Sequence, residues 1–254
     1  MVLSIQQAQE RIWEKLQPID CDPCPHCHGL GYITLDGLKW DHPLFGVAFR
    51  CICQKRQVID QKSRFALKGT EQSIPQAAYN YDFEHFTKLS HAAEAAKACW
   101  AMVLGDSKPG LVLWGGTGTG KTTLGLITLR YLNESGQSVA WCDYTDIIKR
   151  VQATYNKKEY DGPSEDEILG ALTEADLLVI DDMGSVATNN PVSENRTEIM
   201  FRVINARYAR QAKMIITSNC TPDKLKYQFG DRIWSRVNGM SEIVKCDGKD
   251  LRTS

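Results

Sequence analysis

The sequence predicts an α/β protein in which a parallel sheet is flanked by helices, with a small metal-held module in front of it. Three observations predict this. Short apolar runs alternate with helical stretches through most of the chain, a glycine-rich loop joins one of those runs to a helix, and five of the nine cysteines lie between Cys21 and Cys53.

Taken in order, residues 4–16 follow an amphipathic helical pattern with charges throughout, which is not the apolar core of a signal peptide. Residues 18–53 are rich in Pro, Cys, Gly and His and have too little apolar pattern to form a core unaided. Residues 54–74 are basic and polar and read as a connecting helix and linker, so the domains are placed at 1–66 and 67–254. Beyond them come a helix over 91–103, a buried strand over 110–114, a helix over 122–133, and strands over 138–142, 177–180 and 214–217. Each strand is short, apolar and followed by polar or helical sequence, the grammar of a sheet covered on both faces.

Composition narrows the class of function. The 254 residues are 43% hydrophobic and 24% charged, ordinary for a globular chain. A net charge of −1 gives no global positive field, so nucleic-acid binding must come from a local patch or from several subunits together. No apolar run approaches the ~20 residues that cross a bilayer, so the chain reads as cytoplasmic with no membrane partner.

Gly115-Gly116-Thr117-Gly118-Thr119-Gly120-Lys121-Thr122 satisfies GxxxxGK[ST] and stands between a strand and a helix, as its mechanism requires. The glycines let successive N–H groups, through Thr123, curl around the phosphates of ATP. Lys121 neutralises β- and γ-oxygens, and the Thr122 hydroxyl completes a Mg²⁺ shell. The run Leu177-Leu178-Val179-Ile180 ends in Asp181 and Asp182. Asp181 is the second Mg²⁺ ligand and Asp182 the residue that orients or deprotonates the attacking water, although acids at a strand end also cap helices. Asn219 ends a further strand, where it can sense the γ-phosphate or simply form the turn before Thr221-Pro222.

Cys24 and Cys27, followed by Cys51 and Cys53, have the spacing of a zinc knuckle, two thiolate pairs closing a loop around a tetrahedral Zn²⁺. His42 competes as a ligand, and Cys21, His26 and His28 are weaker candidates. Metal binding would supply the free energy this segment lacks. The four remaining cysteines, Cys99, Cys142, Cys220 and Cys246, are scattered and read as buried thiols.

From Tyr79 onward these motifs resemble the AAA+ superfamily, and within it the DnaC/DnaI-type replicative helicase loaders and the related IstB-type transposition ATPases. LLVIDDMG carries Asp as its second acid, ITSN is similar to a sensor-1 strand, and Gly230 to Val237 (GDRIWSRV) resembles box VII. The resemblance implies a P-loop AAA+ sheet without a C-terminal lid domain. It also implies Arg236 as an arginine presented to the neighbouring subunit's nucleotide, with Arg232 as a second candidate. The cysteine cluster is similar to the helicase-contacting module of DnaI-type loaders. In such proteins a helix like that expected over 143–158 lines a channel for single-stranded DNA; Lys149, Arg150, Lys157, Lys158, Tyr144 and Tyr155 are the candidates here, against the alternative of a solvated amphipathic helix. For the adenine base, Tyr79, Tyr81 and Phe83 are open.

The implied activity is ATP hydrolysis, slow and dependent on self-association, that loads a hexameric DnaB-type helicase onto single-stranded DNA during replication initiation. The alternatives are an IstB-like transposition ATPase and a nucleotide-gated adaptor with little turnover.

Overall fold

The computed structural model of the chain describes residues 32–33, 49–50, 74–89, 92–155, 161–184, 191–248 and 250–251. The chain divides into two compact units, Met1–Arg64 with Glu134–Gly136, and Phe65–Asn133 with Gln137–Ser254. In the first, β1 (Tyr32–Ile33) and β2 (Phe49–Arg50) form an antiparallel ladder that pairs Tyr32 with Arg50 and Ile33 with Phe49. The helix expected over 4–16 and all the cysteine and histidine candidates for zinc lie outside the described residues.

The second unit is built on five parallel strands, β3 (Gly110–Trp114), β4 (Val139–Asp143), β5 (Leu177–Asp181), β6 (Lys213–Ser218) and β7 (Ser241–Lys245). They lie in the order β4-β5-β6-β3-β7. Its helices are α1 (Phe83–Thr87), α2 (Ala93–Leu104), α3 (Lys121–Glu134), α4 (Tyr144–Ala153), α5 (Glu165–Glu174), α6 (Glu194–Arg210) and α7 (Pro222–Met240). No helix among the described residues is long and apolar enough to cross a membrane.

Alternation along the strands divides the core in two. Val112, Leu178, Ile180, Met214 and Ile216 point to one face, where Ile147 of α4, Leu169 of α5, Met200 of α6 and Ile233 of α7 cover them. Leu111, Leu113, Leu177, Val179 and Ile215 point to the other, under Phe86 of α1, Cys99 of α2 and Ile127 of α3. Burial on both faces is why the strand sequences read as unbroken apolar runs. Each such side chain contributes about 1.5–3 kcal/mol of transfer free energy.

The strand order also fixes where a ligand can sit. After β3 the chain enters α3 on one face, whereas after the adjacent β6 it enters α7 on the other. Helices leaving neighbouring strands toward opposite faces open a crevice at the strands' carboxyl ends.

Two elements depart from the sequence reading. No strand was expected over 241–245, yet these residues form the edge strand β7, which pairs with β3 from Gly110↔Ser241 to Trp114↔Lys245. The helix expected over 143–158 runs from Tyr144 to Ala153: the Asp143 side chain caps its start by accepting from Thr145 N at 2.7 Å, and Thr154 closes its end. Helix α7 starts on the Thr221 cap with Pro222 in its first turn and is kinked at Gly230, whose φ is 81°.

Candidate functional site

The site begins where β3 ends. Residues 115–120 turn back over the sheet, and α3 opens at Lys121, directing its positive end into the loop. Gly120 has φ 90°, and a Cβ there would stand 2.5 Å from Phe86 Cε1, so both conformation and contact demand glycine. Lys121 is buried; its Nζ donates to Gly115 O at 3.1 Å and to Gly116 O, and lies 3.4 Å from Thr119 Oγ1. Thr119 in turn donates to Gly116 O at 3.0 Å, so the loop is closed from within.

At the end of β5, Asp181 is 8% exposed, and its Oδ1 accepts from the Thr122 hydroxyl at 2.9 Å and from the Thr217 hydroxyl. Thr217 Oγ1 also accepts from Asp182 N at 3.0 Å. The Asp182 backbone is left-handed, φ 54°, and Asn219 Nδ2 donates to its Oδ1 at 2.8 Å. Aspartate tolerates that conformation better than a longer acid, because its short side chain bonds locally. Ser218 joins the neighbouring strands: its carbonyl accepts from Gly115 N at 3.2 Å, and its hydroxyl donates to Met183 O at 2.6 Å.

Part of this set lines a cleft of about 800 Å³; Gly115 and Gly116 are not in its lining. Thr117 to Thr123, Asp181, Asp182 and Asn219 all line it. So do Asp143, the register partner of Asp181, and Thr217. Thr217 was not singled out in the sequence, yet it was reachable from Asn219: alternate residues along a strand share a face. The apolar lining is Tyr81, Phe86, Leu89 and Leu251, with His85 beside them. Of the three adenine candidates only Tyr81 lines the cleft. Tyr79 lies under the Arg130 guanidinium, 5.6 Å from ring centre to Cζ, and Phe83 is buried against Trp100 and Tyr131.

Arg232 and Arg236 do not line it. Their guanidinium carbons stand 3.4 and 4.8 Å from the Phe201 ring centre. Arg236 donates through Nε to Asn205 Oδ1 at 2.6 Å and through Nη1 to Arg232 O at 2.8 Å, so α6 and α7 hold it in place.

Among the nucleic-acid candidates, Tyr144 is a correction. It is fully buried, edge-on to Phe229 at 5.5 Å, and burial pushes its hydroxyl up to about 12. Its position with Ile147, Ile148 and Val151 makes it the first residue of the buried stripe of α4. Tyr155 is 52% exposed and accepts from Asn195 Nδ2, Lys149 is exposed and pairs with Asp146 at 3.7 Å, and Lys157 and Lys158 lie outside the described residues. The four scattered cysteines are all buried and free; burial raises Cys99 and Cys142 to about 12 and Cys246 to about 11.

Comparison with known proteins places this geometry. Residues 55–253 match the family model described as IstB-like ATP binding protein. Among curated proteins, YdaV of Escherichia coli K12 is 28% identical over 48% of this chain and 46% of its own length. The chromosomal replication initiator protein DnaA of Streptococcus equi subsp. zooepidemicus is 28% identical over 75% of this chain and 43% of its own. The chain thus spans less than half the length of either relative.

Among solved structures, the DnaC helicase loader superposes with a TM-score of 0.57 at 22% identity, over 68% of this chain and 99% of that one. DnaI gives 0.56 at 16% identity, over 69% and 93%. AMPPCP-bound DnaA of Aquifex aeolicus gives 0.56 at 22% identity, over 66% and 50%. These likenesses establish a shared AAA+-type fold. With a family model matched over most of its length, the chain belongs to the IstB-like ATP-binding family.

Proposed function

We propose that the chain is an ATP-dependent loader of a DnaB-type replicative helicase onto single-stranded DNA, working in the cytoplasm at the initiation of replication. The observation that carries the proposal is the junction at Asp181, where the Thr122 and Thr217 hydroxyls meet one carboxylate oxygen beside a glycine loop closed by Lys121. That donor set is hard oxygen, the chemistry Mg²⁺ selects. Thr122 and Asp181 would hold the ion, which when bound neutralises charge on the β- and γ-phosphate oxygens. The amides of residues 117–123, which line the cleft, cradle the phosphates, and Lys121 balances their charge.

Asp182 takes the proton of the attacking water, and Asn219 fixes the carboxylate that does so. The short reach of aspartate makes this step slow. Assembly completes the site: no arginine is among the described residues lining the cleft, so Arg236 serves the neighbouring subunit's nucleotide, with Arg232 beside it. Phe201 and Asn205 hold that guanidinium ready.

Residues 1–66 are assigned to helicase capture, with Zn²⁺ on Cys24, Cys27, Cys51 and Cys53. In support, Tyr32 follows the first cysteine pair, Arg50 precedes the second, and the two are partners in the β1–β2 ladder. Metal analysis of purified, chelator-free protein is expected to find one zinc per chain, and near-zero zinc in folded protein would remove the assignment.

What favours a loader is the likeness of fold to the DnaC helicase loader over nearly all of that chain. The family model itself favours a second reading, an IstB-like ATPase serving a transposase. Co-purification separates them. A stable complex with a hexameric DnaB-type helicase supports the first; preference for duplex DNA with no helicase binding supports the second. A nucleotide-gated adaptor is the outcome if ATP binds but neither DNA nor helicase elicits turnover.

A further inference from the structure

Beyond β7 the chain turns back to the phosphate loop. Cys246 extends the β3–β7 ladder by one step, its N–H donating to Trp114 O at 2.7 Å, and its side chain is buried in the cluster that holds Phe86 and Leu113. At the loop itself, Leu251 N donates to Gly118 O at 2.9 Å. The Asp250 carboxylate rests on Gly118 so closely that a Cβ there would stand 1.8 Å from its Oδ1. The Leu251 side chain packs against the Phe86 cluster and lines the cleft.

The lining of that cleft is divided by chemistry. Loop amides, Lys121, Thr122 and the carboxylates after β5 make the polar part. The apolar part comes from two segments far apart in sequence, Tyr81 to Leu89 and Leu251. Both segments touch the loop, Phe86 at Gly120 and the Leu251 backbone at Gly118. A nucleotide with its phosphates in the loop must lay its base on neighbouring surface, and a flat heteroaromatic ring gains most from apolar and aromatic groups.

We propose that Leu251 is a nucleotide-contacting residue: the C-terminal strap, together with Tyr81, Phe86 and Leu89, forms the slot for the base. The inference rests on the nucleotide-binding reading above. It makes affinity for a nucleoside triphosphate depend on the strap, while affinity for bare triphosphate does not.

Calorimetric titration with Mg·ATP and, separately, with inorganic tripolyphosphate and Mg²⁺ tests this on the full chain, on Leu251→Ala, on Leu251→Met and on a chain ending at Gly248. ATP affinity is expected to fall about fivefold in Leu251→Ala and about tenfold on truncation, and to be retained in Leu251→Met. Tripolyphosphate affinity should stay within about twofold throughout. Two results overturn the inference: ATP affinity unmoved by both Leu251→Ala and truncation, or truncation that tightens both ligands, which would make Asp250 a competitor of phosphate. A full-length chain that binds neither ligand defeats the nucleotide reading itself.

Discussion

The Asn219 side-chain amide donates to the Asp182 carboxylate at 2.8 Å, tying the turn after β6 to the turn after β5. Asp182 stands at φ 54°, a conformation that asparagine also accepts. Asp182→Asn should therefore keep the backbone and lose the base: turnover falls about a hundredfold or more while Mg·ATP affinity changes little. Asp182→Glu is expected to lower stability by about 1 kcal/mol, since a longer side chain fits left-handed backbone less well. Single-turnover kinetics and urea unfolding check the two.

Thr217 joins both acids, donating to Asp181 and accepting from Asp182 N. Thr217→Val keeps the shape and removes both bonds, leaving the half-buried Asp182 N–H and the buried Asp181 carboxylate each short of a partner. Mg·ATP affinity should drop about tenfold, and Thr217→Ser should restore it. Equal affinity in Thr217→Val and the parent chain would show that the hydroxyl has no part in the site.

Arg236 lies on the Phe201 ring and outside the cleft of its own chain, so its loss should be rescued by mixing. Arg236→Ala and Lys121→Ala are each expected to lose nearly all turnover. Mixed in equal amounts, they should recover a measurable fraction at interfaces that pair an intact loop with an intact arginine. No recovery at any mixing ratio would count against an arginine supplied in trans.

Three buried thiols set an alkaline limit. Burial raises Cys99 and Cys142 from 9.0 to about 12 and Cys246 to about 11, so the folded state holds protons that the unfolded chain releases. Their contribution is fully present below pH 9 and declines as pH rises toward 11–12. Arg207, lowered to about 10 by burial, acts in the opposite sense above that pH, so the decline is clearest between pH 9 and 10. Unfolding free energies from urea titrations at pH 8, 9 and 10 should fall, by on the order of 1 kcal/mol per thiol over the last step, and Cys142→Ala should flatten the slope.

What the sequence revealed follows from what is local. The loop from Gly115 to Thr122 was legible because its spacing, the strand before it and the helix after it are contiguous. The five-stranded sheet was legible except for β7, three of whose five residues are charged or polar and whose partner β3 lies far back in the chain. Tyr144 shows a misreading of the opposite kind. Its spacing to Ile147, Ile148 and Val151 marks a buried stripe, but its neighbourhood of lysines suggested an exposed surface. Leu251 was hidden because it meets the loop through Gly118, a partner distant in sequence, whereas Thr217 shares a strand face with Asn219 and only its bond to the distant Asp181 was out of reach.

The central claim is that the loop closed by Lys121 and the acids after β5 together bind a nucleoside triphosphate with its metal. Titration calorimetry of the full chain with ATP and Mg²⁺, beside Lys121→Ala, tests it most directly. Saturable binding in the micromolar range that disappears in the variant is the predicted result; a folded parent chain that takes up no heat at millimolar ATP would contradict the account.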